Sequence, residues 1–306
     1  MGYFNQFEQR LKILTHWSDE LHMGHSHNHS SDGKLSLAVF INILLTIAQV
    51  VGGIMSGSLS LIADALHNLS DAGAIVIAIF ARRIANKSAD KTMTYGYKRA
   101  EIIGALINST SLILIGLYLI YEAIGKYFNP TPIDGWIVFW VAGIALLIDI
   151  VTAALTYSAG AKSNMNIRAA FIHNVSDALT SLVVIIASLL IINFQLYIFD
   201  VIATILISVF VIYHGNLLLK KCIMIIMQAV PESISIEDVQ ASLEAVKGVQ
   251  SAKHIHIWQL DDKRIFMEAH MVLSGDNHEE IKEQTRFILE NTFKISHSTL
   301  ETKSMR

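Results

Sequence analysis

Hydrophobic residues run in long unbroken stretches over the first two thirds of this chain and in short alternating ones thereafter. Six apolar stretches lie near 35–55, 59–81, 100–121, 136–157, 168–192 and 197–217. Each has about the 20 residues that a helix needs to cross a bilayer. From about residue 231 the pattern changes. Ser235 stands as an N-cap with Asp238 three positions on, and Val239, Leu243 and Val246 follow at helical spacing towards a stop at Gly248. "AKHIHIWQL" and "RIFMEAHMVL" alternate as strands do, "NHEEIKEQTRFILENTF" is a second amphipathic helix, and "HSTLETK" is a last short strand. The pattern predicts a polar N-terminal segment (1–34), a polytopic α-helical domain of six transmembrane helices (35–217), a linker (218–230) and a small α+β domain of order αββαβ (231–306). A domain of about 75 residues has only a marginal core of its own, so pairing with a second copy is expected.

Composition agrees with a lipid solvent. Apolar residues make up 53% of the 306 and charged ones only 16%, against about 25% in soluble domains. A net charge of −3 gives no electrostatic reason to expect nucleic acid as a partner. Cys222 is the single cysteine, which excludes an internal disulfide and a thiolate metal cluster. The first 34 residues are polar and histidine-rich, and no secretory leader is expected there. Basic residues are distributed unevenly. Arg82, Arg83, Lys87, Lys91, Lys98 and Arg99 lie between the second and third stretches, Lys162 and Arg168 between the fourth and fifth, and Lys220 and Lys221 after the sixth. The opposite connections offer only Lys126. This bias places the even connections and both termini in the cytoplasm of a multi-pass membrane protein.

Two of the apolar stretches carry the same polar insertion: "HNLSDA" at 67–72 and "HNVSDA" at 173–178. His67 and Asp71 are four apart, as are His173 and Asp177, so each pair shares one helix face. The second and fifth spans run in opposite directions. Asp71 lies ten residues from the cytoplasmic end of its span and Asp177 nine from the start of its own. That is about 15 Å of depth for both, near the middle of the hydrocarbon core. Two imidazoles and two carboxylates at one level make a tetrahedral set suited to Zn²⁺, with Cd²⁺ and Co²⁺ also accommodated. Without metal the same groups take up protons, so metal and proton compete for them. Helix–helix hydrogen bonding is the rival reading, but two matched pairs of costly intramembrane groups favour function. Asn68, Ser70, Asn174 and Ser176, beside those ligands, are read as packing residues.

Other polar groups are secondary candidates. Asp64 precedes His67 by three residues, and Asp149 stands alone in "LLIDIVTA". Both are candidate proton-relay groups, and Asp149 is otherwise expected to be protonated or to face water. Asn42, Gln49 and Asn108 are candidates to line the same cavity. His22, His25, His27 and His29 form a tract that binds zinc weakly or has no required role. The leading function is a secondary transporter exchanging a divalent metal for protons, with the ion as cargo and no cofactor. An intramembrane metalloenzyme would need an open coordination position and a general base, and HExxH is absent. A metal sensor would bind without flux, and a channel would not depend on a proton gradient.

With these residues in view, the chain resembles the cation diffusion facilitators, in the branch that handles zinc, cadmium and cobalt. "GSLSLIADALHNLSDA", "YGYKRAEIIGALIN", "RAAFIHNVSDALTS", "HIHIW" and "HSTLE" carry the resemblance, which covers nearly the whole chain. It implies six helices, a cytoplasmic C-terminal domain of ferredoxin-like, copper-chaperone-like fold, a homodimer, efflux across the bacterial cytoplasmic membrane, and a transport site of His67, Asp71, His173 and Asp177. Some members bind metal again between spans two and three. Here that connection has Asp90 but no histidine, with Tyr97 where others have His, so this site is not expected. Some bind metal in the tail, where His254, His270 and His297 match and Thr299 replaces an acidic ligand. Alternation would put His254, His256 and Trp258 on one strand face, so packing remains open for the tail histidines.

Overall fold

The computed structural model describes residues 32–158, 165–274 and 277–304. The apolar stretches form helices α1 (Asp32–Ser56), α2 (Leu59–Ala85), α3 (Ala100–Phe128), α4 (Gly135–Ser158), α5 (Met165–Phe194) and α6 (Ile198–Ile226). Among the described residues five helices, α2 to α6, are long and apolar enough to cross a membrane. The described apolar part of α1, Ile43–Ser56, is shorter. Helix starts fall close to the expected positions. The ends of α1, α4 and α5 also fall within two residues of expectation, whereas α3 runs to Phe128 and α6 to Ile226, so the expected linker is helical through 218–226. Lys126 lies in the last turn of α3, and Lys220 and Lys221 lie before the last turn of α6. These charged side chains interrupt the apolar runs, yet long side chains of this kind are tolerated well in helix.

Asp200, fully buried near the start of α6, holds the N-terminus of α2. Its carboxylate accepts from the Ser58 and Ser60 hydroxyls at 2.6 Å each, from Leu59 N at 2.9 Å and from Ser60 N at 3.1 Å. Free N–H groups at a helix start need such an acceptor. Helices α3 and α6 meet through glycines. A Cβ on Gly116 would lie 2.6 Å from Ile212, and one on Gly215 would lie 3.0 Å from Ile113. Helices α4 and α5 pack as an antiparallel pair, and α1 packs on α4. Ile79, Phe80, Leu114, Leu147, Leu155 and Leu206 are exposed on the outer faces. Large apolar side chains in such number suit lipid contact.

The C-terminal domain forms α7 (Ile236–Glu244), β1 (Val249–Gln259), β2 (Ile265–Leu273), α8 (His278–Phe293) and β3 (Ile295–Ser304). Ser235 caps α7, its hydroxyl accepting from Asp238 N at 3.1 Å. The helix ends at Glu244, and Gly248 instead turns the chain into β1 with φ +99. The sheet order is β1-β2-β3, with β1 antiparallel and β3 parallel to β2. Helix α8 is the crossover that a parallel pair requires. Val239, Leu243, Met267, Met271 and Leu289 centre the core. The α2–α3 connection belongs to the same compact unit as this domain, and its Tyr95 packs edge-on against Phe266 at 5.4 Å.

Candidate metal centre

Helices α2 and α5 bring the two HxxxD elements together. His67 Nε2 lies 3.8 Å from Asp71 Oδ2 on its own helix and 3.3 Å from Asp177 Oδ1 across the interface. His173 Nε2 lies 3.6 Å from Asp71 Oδ2 and 3.5 Å from Asp177 Oδ2. Residue 67 faces 177 and 71 faces 173, so the helices run antiparallel. Ligand atoms of His67, Asp71 and Asp177 all lie within 4.8 Å of one another, and His173 reaches both carboxylates from beside them. His67 Nδ1, Asp71 Oδ2 and Asp177 Oδ1 are buried without a hydrogen-bond partner among the described residues. The two carboxylate oxygens converge with His67 Nε2 and His173 Nε2, and buried acceptors of this kind are costly unless a cation or protons satisfy them.

Among the described residues, one side of the centre is more open than the other. The side chains of Asp71 and His173 are 35% and 48% exposed, those of His67 and Asp177 only 12% and 11%. The open side is that of the C-terminal end of α2 and the N-terminal end of α5. One turn further, on the closed side, lies a buried polar cluster. The Asp64 carboxylate accepts from Gln49 Nε2 of α1 at 2.7 Å and from the Thr180 and Ser181 hydroxyls of α5 at 2.9 and 3.2 Å. Ser181 Oγ also lies 3.2 Å from Asp149 Oδ2 of α4. Asp149 is therefore not the lone carboxylate that its apolar neighbours suggest; its partner is 32 residues away in the sequence. Asn68 Nδ2 donates to Gln49 Oε1 at 3.0 Å, and Asn174 Nδ2 to Thr156 Oγ1 at 3.5 Å. Both asparagines thus bridge helices, as the packing reading expects. The Asn42 side chain lies outside the described residues, and Asn108 is not among the cluster's described hydrogen-bond partners.

Sequence reasoning missed Thr180, Ser181, Phe210 and His214. The last two lie on α6, where the Phe210 ring stands 6.2 Å from His67 and 4.5 Å from His214. A histidine in the sixth apolar run was the available signal for His214. The N-terminal histidines His22, His25, His27 and His29 lie outside the described residues.

The tail histidines do not form one cluster. A bulge between Lys253 and His256 puts His254 in the left-handed region at φ 50, which breaks the expected alternation of His254, His256 and Trp258. The His254 and His270 rings come within 5.0 Å, and His270 Nε2 lies 3.2 Å from Glu301 Oε2. His297 pairs instead beside Phe266, its ring 5.1 Å away. Phe266 and His270 are four residues apart on β2, about 13 Å. Between α2 and α3, Asp90 is occupied by its own loop. Hydrogen bonds from the Thr92 hydroxyl, Met93 N, the Tyr97 hydroxyl and Thr92 N hold its carboxyl well below the usual carboxylate range.

Family comparison agrees with this architecture. Residues 35–227 match the cation efflux transmembrane domain, and residues 231–302 match the cation efflux protein cytoplasmic domain. The chain belongs to the cation efflux family. It is a multi-pass cation efflux transporter of the cation diffusion facilitator group, not an enzyme. Cation efflux relatives align over nearly their full lengths. The "Cadmium, cobalt and zinc/H(+)-K(+) antiporter" of Bacillus subtilis (strain 168) is 35% identical over 90% of this chain and 88% of its own. The "Zinc transporter ZitB" of Pectobacterium atrosepticum is 32% identical over 93% and 90%. The "Metal cation efflux system protein CzcD" of Cupriavidus metallidurans is 33% identical over 91% and 89%.

Proposed function

We propose that this cation efflux protein exports Zn²⁺, and also Cd²⁺ and Co²⁺, in exchange for protons through a tetrahedral site of His67, Asp71, His173 and Asp177. The observation that carries the reading is the convergence of both imidazoles on both carboxylates, 3.3 to 3.8 Å apart, from two antiparallel helices. Nitrogen and oxygen donors in equal number, with no sulfur, suit zinc and its near neighbours and disfavour Cu(I). Two ionised carboxylates bring a charge of −2, which one divalent ion cancels. When the ion leaves, these carboxylates and imidazoles are stable at mid-membrane depth only with protons in its place. Exchange follows from that competition. The names of the Bacillus and Pectobacterium relatives support the choice of metals, that of the Cupriavidus relative supports metal cation efflux, and the first supports proton coupling.

The remaining organisation is proposed on the same footing. Helix α1 completes six spans. The N-terminal segment 1–34 and the domain 231–306 both lie in the cytoplasm of a bacterial cell and flank a membrane domain at 35–217 in the sequence, and the connection 218–230 begins as helix. The αββαβ domain is of the copper-chaperone-like kind, and two copies pair through it, as the dimerisation-domain match supports. His254, His270 and Glu301 are better placed than His297 to hold a tail ion.

Proteoliposomes test the site. Asp71→Ala and Asp177→Ala are each expected to weaken zinc binding at least about 100-fold, more than loss of an outer partner does, and to abolish zinc-driven proton movement in protein that still assembles. Wild-type flux in either variant removes these residues from the site.

A further inference from the structure

The buried cluster on the closed side of the metal centre has too few hydrogens for its acceptors. Ser181 Oγ stands 3.2 Å from Asp64 Oδ2 and 3.2 Å from Asp149 Oδ2. A hydroxyl has one hydrogen and donates once. The second contact is a hydrogen bond only if one carboxyl group is protonated and donates to the serine oxygen. Thr180 Oγ1 is shared in the same way, between Asp64 Oδ1 at 2.9 Å and the Asp177 carbonyl at 2.8 Å. Gln49 supplies one amide hydrogen to Asp64, and its orientation is set by Asn68, which donates to its oxygen. Asp64, Thr180 and Ser181 are buried, and Asp149 is 7% exposed, so water has little room to make up the deficit. Two ionised carboxylates across one hydroxyl would leave a buried lone pair facing a charge.

We propose that Asp149, Ser181 and Asp64 form a proton link that serves the metal centre from its closed side, with one proton shared between the two carboxyl groups. The link has two arrangements. Asp149 gives its proton to Ser181 Oγ while Ser181 gives its own to Asp64 Oδ2; Asp149 becomes carboxylate, Asp64 becomes carboxylic acid, and the serine is unchanged. Asp64 is one helical turn from His67, with Asp177 opposite, and these are the ionisable groups that face it; Asp149 is faced by Asp177, Asp64 and His173. The metal side of the centre opens through Asp71 and His173. The link lies on the side of the centre away from that opening.

The link rests on the proposed metal–proton exchange, and the following experiment separates the two. Zinc affinity is measured in detergent, and zinc-driven proton flux in proteoliposomes carrying a pH-sensitive dye, for wild type, Ser181→Ala and Ser181→Thr. Ser181→Ala is expected to bind zinc within about threefold of wild type, since no ligand or ligand partner is lost. Its proton flux is expected to fall at least about tenfold, and Ser181→Thr to restore it. Infrared spectra of the zinc-loaded protein, in which Asp71 and Asp177 are ionised by the metal, are expected to keep a carboxylic-acid carbonyl band that changes in Asp149→Asn. Wild-type flux in Ser181→Ala, loss of zinc binding in both Ser181 variants, or absence of that band overturns the link. A wild-type protein that binds zinc but moves no protons overturns the exchange itself, and the link with it.

Discussion

At the residue scale, one face of α2 carries Asp64, His67 and Asp71, and one face of α5 carries His173, Asp177, Thr180 and Ser181. His67 and Asp71, like His173 and Asp177, announce a shared face because four residues nearly complete a turn. Asp64 lies on that face as well, but its partners Thr180 and Ser181 are 116 and 117 residues away. No local pattern states that two hydroxyls of α5 meet a carboxylate of α2. The same limit hid Asp200, whose partners begin 140 residues earlier. Asp64 supports a prediction about stability that is independent of transport. Asp64→Ala leaves Gln49, Thr180 and Ser181 without their common acceptor, and unsatisfied buried groups cost about 1–3 kcal/mol each. Thermal unfolding in detergent is expected to show a clear fall for Asp64→Ala and a smaller one for Asp64→Asn, which keeps an acceptor oxygen. Equal stability of Asp64→Ala and wild type would mean that the cluster relaxes around the gap.

Whole elements were legible from hydropathy, except at their ends and contacts. The apolar runs locate α2 to α6 because a spanning helix must be apolar throughout. They stop at Lys220 and Lys221, whereas α6 continues past both charges through the apolar residues 222–226 to Ile226. In the C-terminal domain the alternation located β1 and β2, yet it did not show the bulge after Lys253. His254 and His256 are both exposed, with the bulge between them. Contacts between helices give two predictions. Asp200→Ala removes one carboxylate from two hydroxyls and two backbone N–H groups at the start of α2. The expected loss is about 2–4 kcal/mol, above an ordinary cap, because the acceptor is charged and buried. Gly116→Val places a branched side chain where a Cβ alone would meet Ile212 at 2.6 Å. It is expected to lower the unfolding temperature of the membrane domain and to be rescued in part by Ile212→Ala, which returns the space. Failure of that rescue would show that the glycine is needed for something other than close approach.

At the scale of the whole molecule, proton and metal binding are linked through one set of ligands. Zinc needs the carboxylates ionised and the imidazoles neutral. As pH falls, more protons occupy the empty centre, and each must leave before zinc binds. Zinc affinity is therefore expected to fall as pH falls, by about tenfold per pH unit for each proton displaced. The stabilisation that zinc gives to the folded protein follows the same slope. It grows with the ratio of free zinc to dissociation constant, about 2.7 kcal/mol at a hundredfold excess, and so shrinks on acidification at fixed zinc. Titration calorimetry between about pH 6 and 8, the range where imidazole changes charge, in two buffers of different ionisation enthalpy, counts the protons released per zinc bound. A count above zero that vanishes in Asp71→Ala and Asp177→Ala ties the exchange to this centre. A zinc affinity that does not change across that range would leave the centre able to hold metal but with no protons to trade, and outward movement would then need another source of free energy.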